Sequence, residues 1–264
     1  MLERKWLGDK TGGGFYKRVK AAPEGQDRMA LDWKALEYRP RQKVRFPSMD
    51  MARNVEDQGE RIRMLTGLSG QKPDRAGQFL WQALTDVWTY SANRVGEICE
   101  SIHDVDRAMR LGFNWDLGPF EMWDAVGMER TVERMRAEGR TVSPKVETLL
   151  DAGQKSWYQP APGSRSGRKF FDLEDKAYRE LELPEGVWSM AAAKASGGVV
   201  KKNAGASLVD LGGGVGCLEF HSKLNAIGGD IMQLVTESLK LDSNLGANFD
   251  AFVISNDAQH FSAG

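Results

Sequence analysis

The chain has 264 residues, enough for one large domain or two of ordinary size. With 36 basic against 37 acidic residues the net charge is −1, which gives no ground for nucleic acid or an anionic membrane as a general partner. No apolar run approaches the roughly 20 residues of a membrane span, and Met1-Leu2-Glu3-Arg4-Lys5-Trp6 lacks a secretory h-region; 41% hydrophobic and 28% charged residues are the balance of a soluble globular protein.

Residues 1–20 are glycine-rich, and Gly12-Gly13-Gly14 excludes a helix interior, so a turn or extended tail with aromatic anchors is expected. Asp32 to Tyr38 reads as a short helix or structured connector, broken by Arg39-Pro40 and Phe46-Pro47. Helices are predicted over 48–150. Ser48 is the expected cap of the first, through about Leu68. From Asp74 to Ser101 apolar residues recur at helical spacing, from Phe79 and Leu80 through Leu84, Trp88 and Val95 to Cys99. Ser101 to Arg110 starts another helix, with Gly112 as its stop. Pro119 opens a helix through Val126, ended by Gly127, and Glu129–Glu138 and Pro144–Ala152 complete a bundle. Trp115, Phe120 and Trp123 are expected together in the core of a helical corner.

Residues 158–170 are a linker by composition, within a connecting region 158–198; a short helix is expected near Ala191–Ala195. Beyond Val199 the character changes. Ala206–Leu211 and Val215–Phe220 flank Gly212-Gly213-Gly214 as a β-hairpin. Ile227–Leu241 is an amphipathic helix and Phe249–Ser255 a buried strand. No internal repeat is apparent. The sequence stops inside a small-residue turn after that strand, which reads as a polypeptide cut within a domain.

Neither glycine cluster continues as G-x-G-x-x-G, since Lys17 and Cys217 stand at the last position, and the second is followed by a strand; turn chemistry is the reading, with no phosphate site. His103, His221 and His260 form no metal motif, and Cys99 and Cys217 lie far apart, as buried thiols in a reducing cytosol do. His103 is read as a capping or packing residue. Glu219 and His221 share one strand face, with Lys223 beyond, and are read as a solvated face of the hairpin.

Two stretches resemble known families. Gly8-Asp9-Lys10-Thr11-Gly12-Gly13-Gly14-Phe15-Tyr16 resembles the signature that closes the first helical repeat of 3-hydroxyacyl-CoA dehydrogenases, and Asp104 to Glu121 resembles the D-x-A-M-x-x-G-F-x-W-x-x-G-P-F-E core of their helical C-terminal domain. Residues 199–264 are similar to the opening of an enoyl-CoA hydratase (crotonase-like) domain, through Phe220–Ile227 and Phe261-Ser262-Ala263-Gly264. The resemblance implies a multidomain chain: residues 1–20 end a first helical repeat, 21–157 are a mainly α-helical dehydrogenase C-terminal domain, 158–198 a linker, and 199–264 an incomplete α/β crotonase-like module. The implied parent is a cytoplasmic, bifunctional enzyme of bacterial fatty acid β-oxidation, which hydrates enoyl-CoA and oxidises 3-hydroxyacyl-CoA with NAD. The same resemblance puts an oxyanion-hole backbone N–H on Ala263 and contacts to the CoA substrate on Lys223, Asn225 and Ala226. It places the cofactor-binding domain and the catalytic acids outside this chain, whose partners would be those missing portions and acyl-CoA. Such a chain alone is inactive; the rival expectation is a non-catalytic acyl-CoA-binding scaffold built from degenerate enzyme parts.

Overall fold

The computed structural model describes residues 1–19, 28–42, 44–240 and 245–256. The N-terminal segment folds as an antiparallel meander of β1 (Tyr16–Arg18), β2 (Arg28–Asp32) and β3 (Glu37–Pro40). Of the short helix or structured connector expected over 32–38, the structure has the connector: residues 33–36 are the β2–β3 turn. The Asp32 carboxylate accepts the N–H groups of Lys34 and Ala35, and Leu36 takes a left-handed backbone (φ 55°), which closes a hairpin rather than a helical turn.

The helical unit follows. Pro47 occupies the first turn of α1 (Pro47–Ala52), so Ser48 lies inside that helix and is not its cap. Asp57 caps a separate α2 (Gln58–Thr66) and Asp74 caps α3 (Arg75–Arg94). Ser101 and Asp104 form a reciprocal capping box on α4 (Ile102–Phe113). That helix runs through Gly112, and Asn114, in left-handed conformation, supplies the stop expected of Gly112. Pro119 opens α5 (Pro119–Val126), followed by α6 (Met128–Ala137) and α7 (Pro144–Asp151). Trp88 of α3 stacks on Trp123 of α5 at 5.4 Å, and Trp157 packs edge-on to Phe120 at 4.9 Å. All four rings are fully buried, whereas Trp115, expected among them, is only half-buried.

The expected linker is folded. β4 (Tyr158–Pro160), β5 (Arg168–Asp172) and β6 (Ala177–Glu180) make a second antiparallel meander, and Phe170, Phe171 and Leu181 join Trp157 in the helical core. Its proline, glycine and serine content marks the tight β4–β5 connection rather than an open tether. This meander repeats the first. The pairs Ala30–Arg39, Leu31–Tyr38 and Asp32–Glu37 recur 140 residues later as Phe170–Arg179, Phe171–Tyr178 and Asp172–Ala177. Asp172 accepts from the N–H groups of Glu174 and Asp175 as Asp32 does from its own turn, and Arg39–Asp32 and Arg179–Asp172 are matching ion pairs. An internal repeat is therefore present, contrary to expectation.

Helix α8 (Met190–Ala195) leads to a four-stranded sheet in the order β10-β9-β8-β7, made of β7 (Val199–Lys202), β8 (Ala206–Asp210), β9 (Val215–Phe220) and β10 (Ala251–Ser255). The β8–β9 hairpin turns on Gly212, Gly213 and Gly214, all at positive φ, as the sequence predicts. Helix α9 (Gly229–Leu239) crosses over so that β10 runs parallel to β9. Ile231 and Leu234 of α9 cover Leu208 and Leu218 on one face of the sheet; Met190 of α8 covers Val209 and Cys217 on the other. Cover on both faces leaves Ala206 to Val209 of β8 buried in succession, Ser207 included. The strand expected to be buried lies at the sheet edge, with Val253 and Ile254 exposed.

Candidate functional site

The long motif of α4 and α5 folds into a buried acid network. Asp106, fully buried, accepts from the N–H of Phe120 (2.8 Å), the N–H of Glu121 (3.0 Å) and the hydroxyl of Tyr158 (2.8 Å). It thus caps the N-terminus of α5 from a neighbouring helix. Glu121 accepts from the Gly118 N–H at 2.9 Å and pairs with Arg168 of β5 at 2.6 Å and with Arg110 of α4 at 3.5 Å. Asp124 takes the N–H groups of Trp157 and Tyr158, both at 2.8 Å. Three carboxylates therefore lock α4, α5, β4 and β5 together. Burial pushes the carboxyl groups of Asp106 and Asp124 up to about 7, against the opposing pull of their N–H donors. Burial, and then the neighbouring Asp106, raises the Tyr158 hydroxyl as well. The contacts of Asp106 and Asp124 hold backbone N–H groups and a tyrosine hydroxyl of neighbouring elements, a structural role. The resemblance marked Asp106 and Glu121 as motif positions without giving either a role, and it said nothing of Arg168.

Two grooves flank the network. One, of about 740 Å³, is apolar and runs between α3 and α4, lined by Val87, Tyr90, Ile98, Val105, Met109 and Trp115. The other, of about 1080 Å³, lies between α4, the start of β5 and α8. His103 lines the second; burial, and then the nearby Arg168, lowers its pKa.

Residues Lys223, Asn225 and Ala226 fall on a one-turn 3-10 segment, Lys223–Asn225, and its C-terminal neighbour. Lys223 and Ala226 are exposed, Asn225 is buried, and Leu224 and Asn225 both have left-handed backbones. Ala263 lies outside the described residues, as does His260. The Glu219–His221 face, expected to be solvated, is exposed at His221 but not at Glu219. Glu219 is buried and pairs with Lys194 of α8 at 2.6 Å, and the Ser207 hydroxyl meets His221 Nε2 at 2.8 Å. α8, whose contact with this face was not foreseen, covers it at Glu219. Cys99 and Cys217 are free thiols, and no group of three or more metal-ligating side chains occurs among the described residues.

Residues 81–172 match the family described as 3-hydroxyacyl-CoA dehydrogenase, C-terminal domain, a span that runs from α3 to the end of β5. Over 264 residues, all of this chain, the sequence is 36% identical to the "Probable 3-hydroxyacyl-CoA dehydrogenase" of Bacillus subtilis (strain 168), of which the alignment covers 31%. Over 122 residues, 46% of this chain, it is 30% identical to a Rickettsia felis protein named for a fatty acid oxidation complex trifunctional enzyme, and 29% identical to its counterpart in Rickettsia prowazekii; 15% of each is covered. No solved structure matches. The elements from α3 through β5 are thus similar to a 3-hydroxyacyl-CoA dehydrogenase C-terminal domain over residues 81–172, in a chain homologous to dehydrogenase and fatty acid oxidation proteins. This chain spans about a third of the Bacillus subtilis relative. No helix among the described residues is long and apolar enough to cross a membrane.

Neither glycine turn is a site for the NAD pyrophosphate. The glycine turns serve the N-terminal 3-10 turn and a hairpin, and neither opens a helix whose N-terminus would receive a pyrophosphate.

Proposed function

We propose that this chain forms the helical C-terminal part of an oxidoreductase of fatty acid oxidation, one that oxidises 3-hydroxyacyl-CoA with NAD in the cytoplasm. The observation that carries this reading is the acid network: Asp106, Gly118, Glu121, Asp124, Tyr158 and Arg168 all lie inside the matched span and account physically for its most distinctive run of residues. In this reading the helical unit packs against a separate NAD-binding domain and helps enclose the acyl-CoA. The N-terminal meander closes a first helical unit of the same kind, an assignment supported by its residue-for-residue likeness to β4–β6.

Residues 199–264 are proposed as the opening of a crotonase-like hydratase module. The hairpin, the crossover α9 and the parallel β10 support an α/β module, and the buried Asn225 turn beside exposed Lys223 suits a contact with CoA. Ala263 would then offer its N–H to the thioester oxygen. Neither activity is assigned a catalytic acid or base in this chain, which alone turns over no substrate.

The test is a hybrid in which this chain replaces the matching region of the Bacillus subtilis relative. The hybrid should reduce NAD with 3-hydroxyacyl-CoA, and the isolated chain should not. A folded but inactive hybrid beside an active parent overturns the dehydrogenase reading, and turnover by the isolated chain overturns its inactivity.

A further inference from the structure

The larger groove has walls of opposite character. On α4, His103, Arg107 and Arg110 stand four and three residues apart, which puts them on one stripe of the helix, and Arg168 at the start of β5 lies across from them. Leu181, Pro184, Val187 and Ala192 are among the residues that line the rest of it. The three guanidiniums are short of counter-charge. Arg110 and Arg168 share the single carboxylate of Glu121, and Arg107, which is exposed, has no ion pair or hydrogen bond among the described residues. Asp104, also on this wall, is spent on the α4 capping box, accepting the Ser101 hydroxyl at 2.8 Å. Glu182 at the rim is the remaining lining carboxylate. His103 has its Nδ1 buried without a partner, and its lowered pKa keeps the ring neutral at pH 7.

Guanidinium forks match the oxygens of carboxylates and phosphates, three of them together suit the higher charge of a phosphate, and a planar or apolar ligand body needs an apolar wall beside them. We propose that this groove binds an organic phosphate, with the phosphate held by Arg107, Arg110 and Arg168 and the ligand's body lying along Leu181, Pro184 and Val187. The shared chemistry is that of adenosine diphosphate, which coenzyme A and NAD both contain. The proposal stands apart from the dehydrogenase reading, because binding is measured without turnover and its failure leaves the hybrid experiment intact.

Calorimetry on the full chain at low salt, with ADP, coenzyme A, NAD and inorganic phosphate as separate probes, tests it. ADP should bind, and more tightly than inorganic phosphate. Arg107→Glu should weaken ADP by about tenfold or more, the scale of one charge-assisted contact. Glu182→Gln should tighten it about two- to threefold, the scale of one exposed charge. Both side chains are exposed, and an unchanged circular dichroism spectrum verifies the fold of each variant. Coenzyme A binding above NAD supports the site and assigns it to the coenzyme; equal binding supports it with the ADP portion as the recognised part. No heat from ADP at millimolar concentration, ADP affinity unchanged by Arg107→Glu, or inorganic phosphate binding as tightly as ADP would each overturn the proposal.

Discussion

The Asp106 carboxylate occupies the space that any side chain at residue 118 would need. A Cβ on Gly118 would stand 2.3 Å from the Cα, the Cβ and Oδ1 of Asp106. The backbone at Gly118 has φ −71°, open to any residue, so contact and not conformation demands glycine there. Neither partner is free to yield, because Asp106 is fixed by three donors and Gly118 precedes the helix that Asp106 caps. Gly118→Ala is therefore expected to destabilise the helical unit by about 3 kcal/mol, the upper range for overpacking. Urea unfolding followed by the fluorescence of the core tryptophans measures it. A loss below about 1 kcal/mol would show that α4 moves away from α5 easily.

The same network sets a pH dependence. The carboxyl groups of Asp106 and Asp124 both sit near 7 in the fold, raised chiefly by burial from an ordinary value of 3.8. Between those limits the folded state holds more protons than the unfolded state, so stability is greatest below the unfolded value and falls as pH rises through about 7. Urea midpoints should therefore be lower at pH 8 than at pH 5. Asp106→Asn removes one of the two groups and should flatten that slope while lowering stability at pH 5. A midpoint that rises with pH would mean that the N–H donors outweigh burial and hold both groups ionised.

The helices were legible because their signals are local: proline at the first turn, aspartate or serine caps and apolar spacing all lie within a few residues. The hairpin turned on Gly212, Gly213 and Gly214 was legible for the same reason. The acid network was not, since Asp106 and Asp124 meet partners in β4 more than thirty residues away, and only the resemblance marked Asp106 as a motif position. The repeat was hidden because 28–40 and 168–180 share just Arg28/Arg168, Asp32/Asp172, Tyr38/Tyr178 and Arg39/Arg179, too few to form a run. Those positions shape a turn and a ladder, and the rest varies with what the meander packs against. Glu219 was misread because strand alternation locates a face without saying what covers it.

Phe15 and Trp157 test that repeat. Each precedes its meander's first strand, and each accepts through its carbonyl from the next strand: Leu31 N–H to Phe15 at 2.9 Å, Phe171 N–H to Trp157 at 2.7 Å. Their environments differ. Trp157 is fully buried between Phe120 and Trp123, while Phe15 is 66% exposed. Trp157→Ala should cost about 3–5 kcal/mol in this chain, as large aromatic deletions from cores do, and Phe15→Ala should cost within about 0.5 kcal/mol. In the hybrid, where a first helical unit would receive Phe15, Phe15→Ala should become as costly as Trp157→Ala. Equal, small effects of Phe15→Ala in both settings would refute the assignment of the first meander.

Lys194 and Glu219 give the last test, because they join α8 to the sheet. The Glu219 side chain is 4% exposed and its ammonium partner 37%, so the carboxylate is the desolvated member. Lys194→Ala strips the charge partner from a buried anion. The cost of breaking a fully buried pair, about 3–5 kcal/mol, is reduced here by the solvent around Lys194, so about 2–3 kcal/mol is expected. Lys194→Met combined with Glu219→Leu removes the charges together and should cost less than Lys194→Ala alone, since no ion is left stranded against Met190 and Cys217. Thermal unfolding of the three variants beside the parent decides the matter. If the double variant is the least stable, the pair is a net source of stability for the α8–sheet contact rather than a charge that needs its partner.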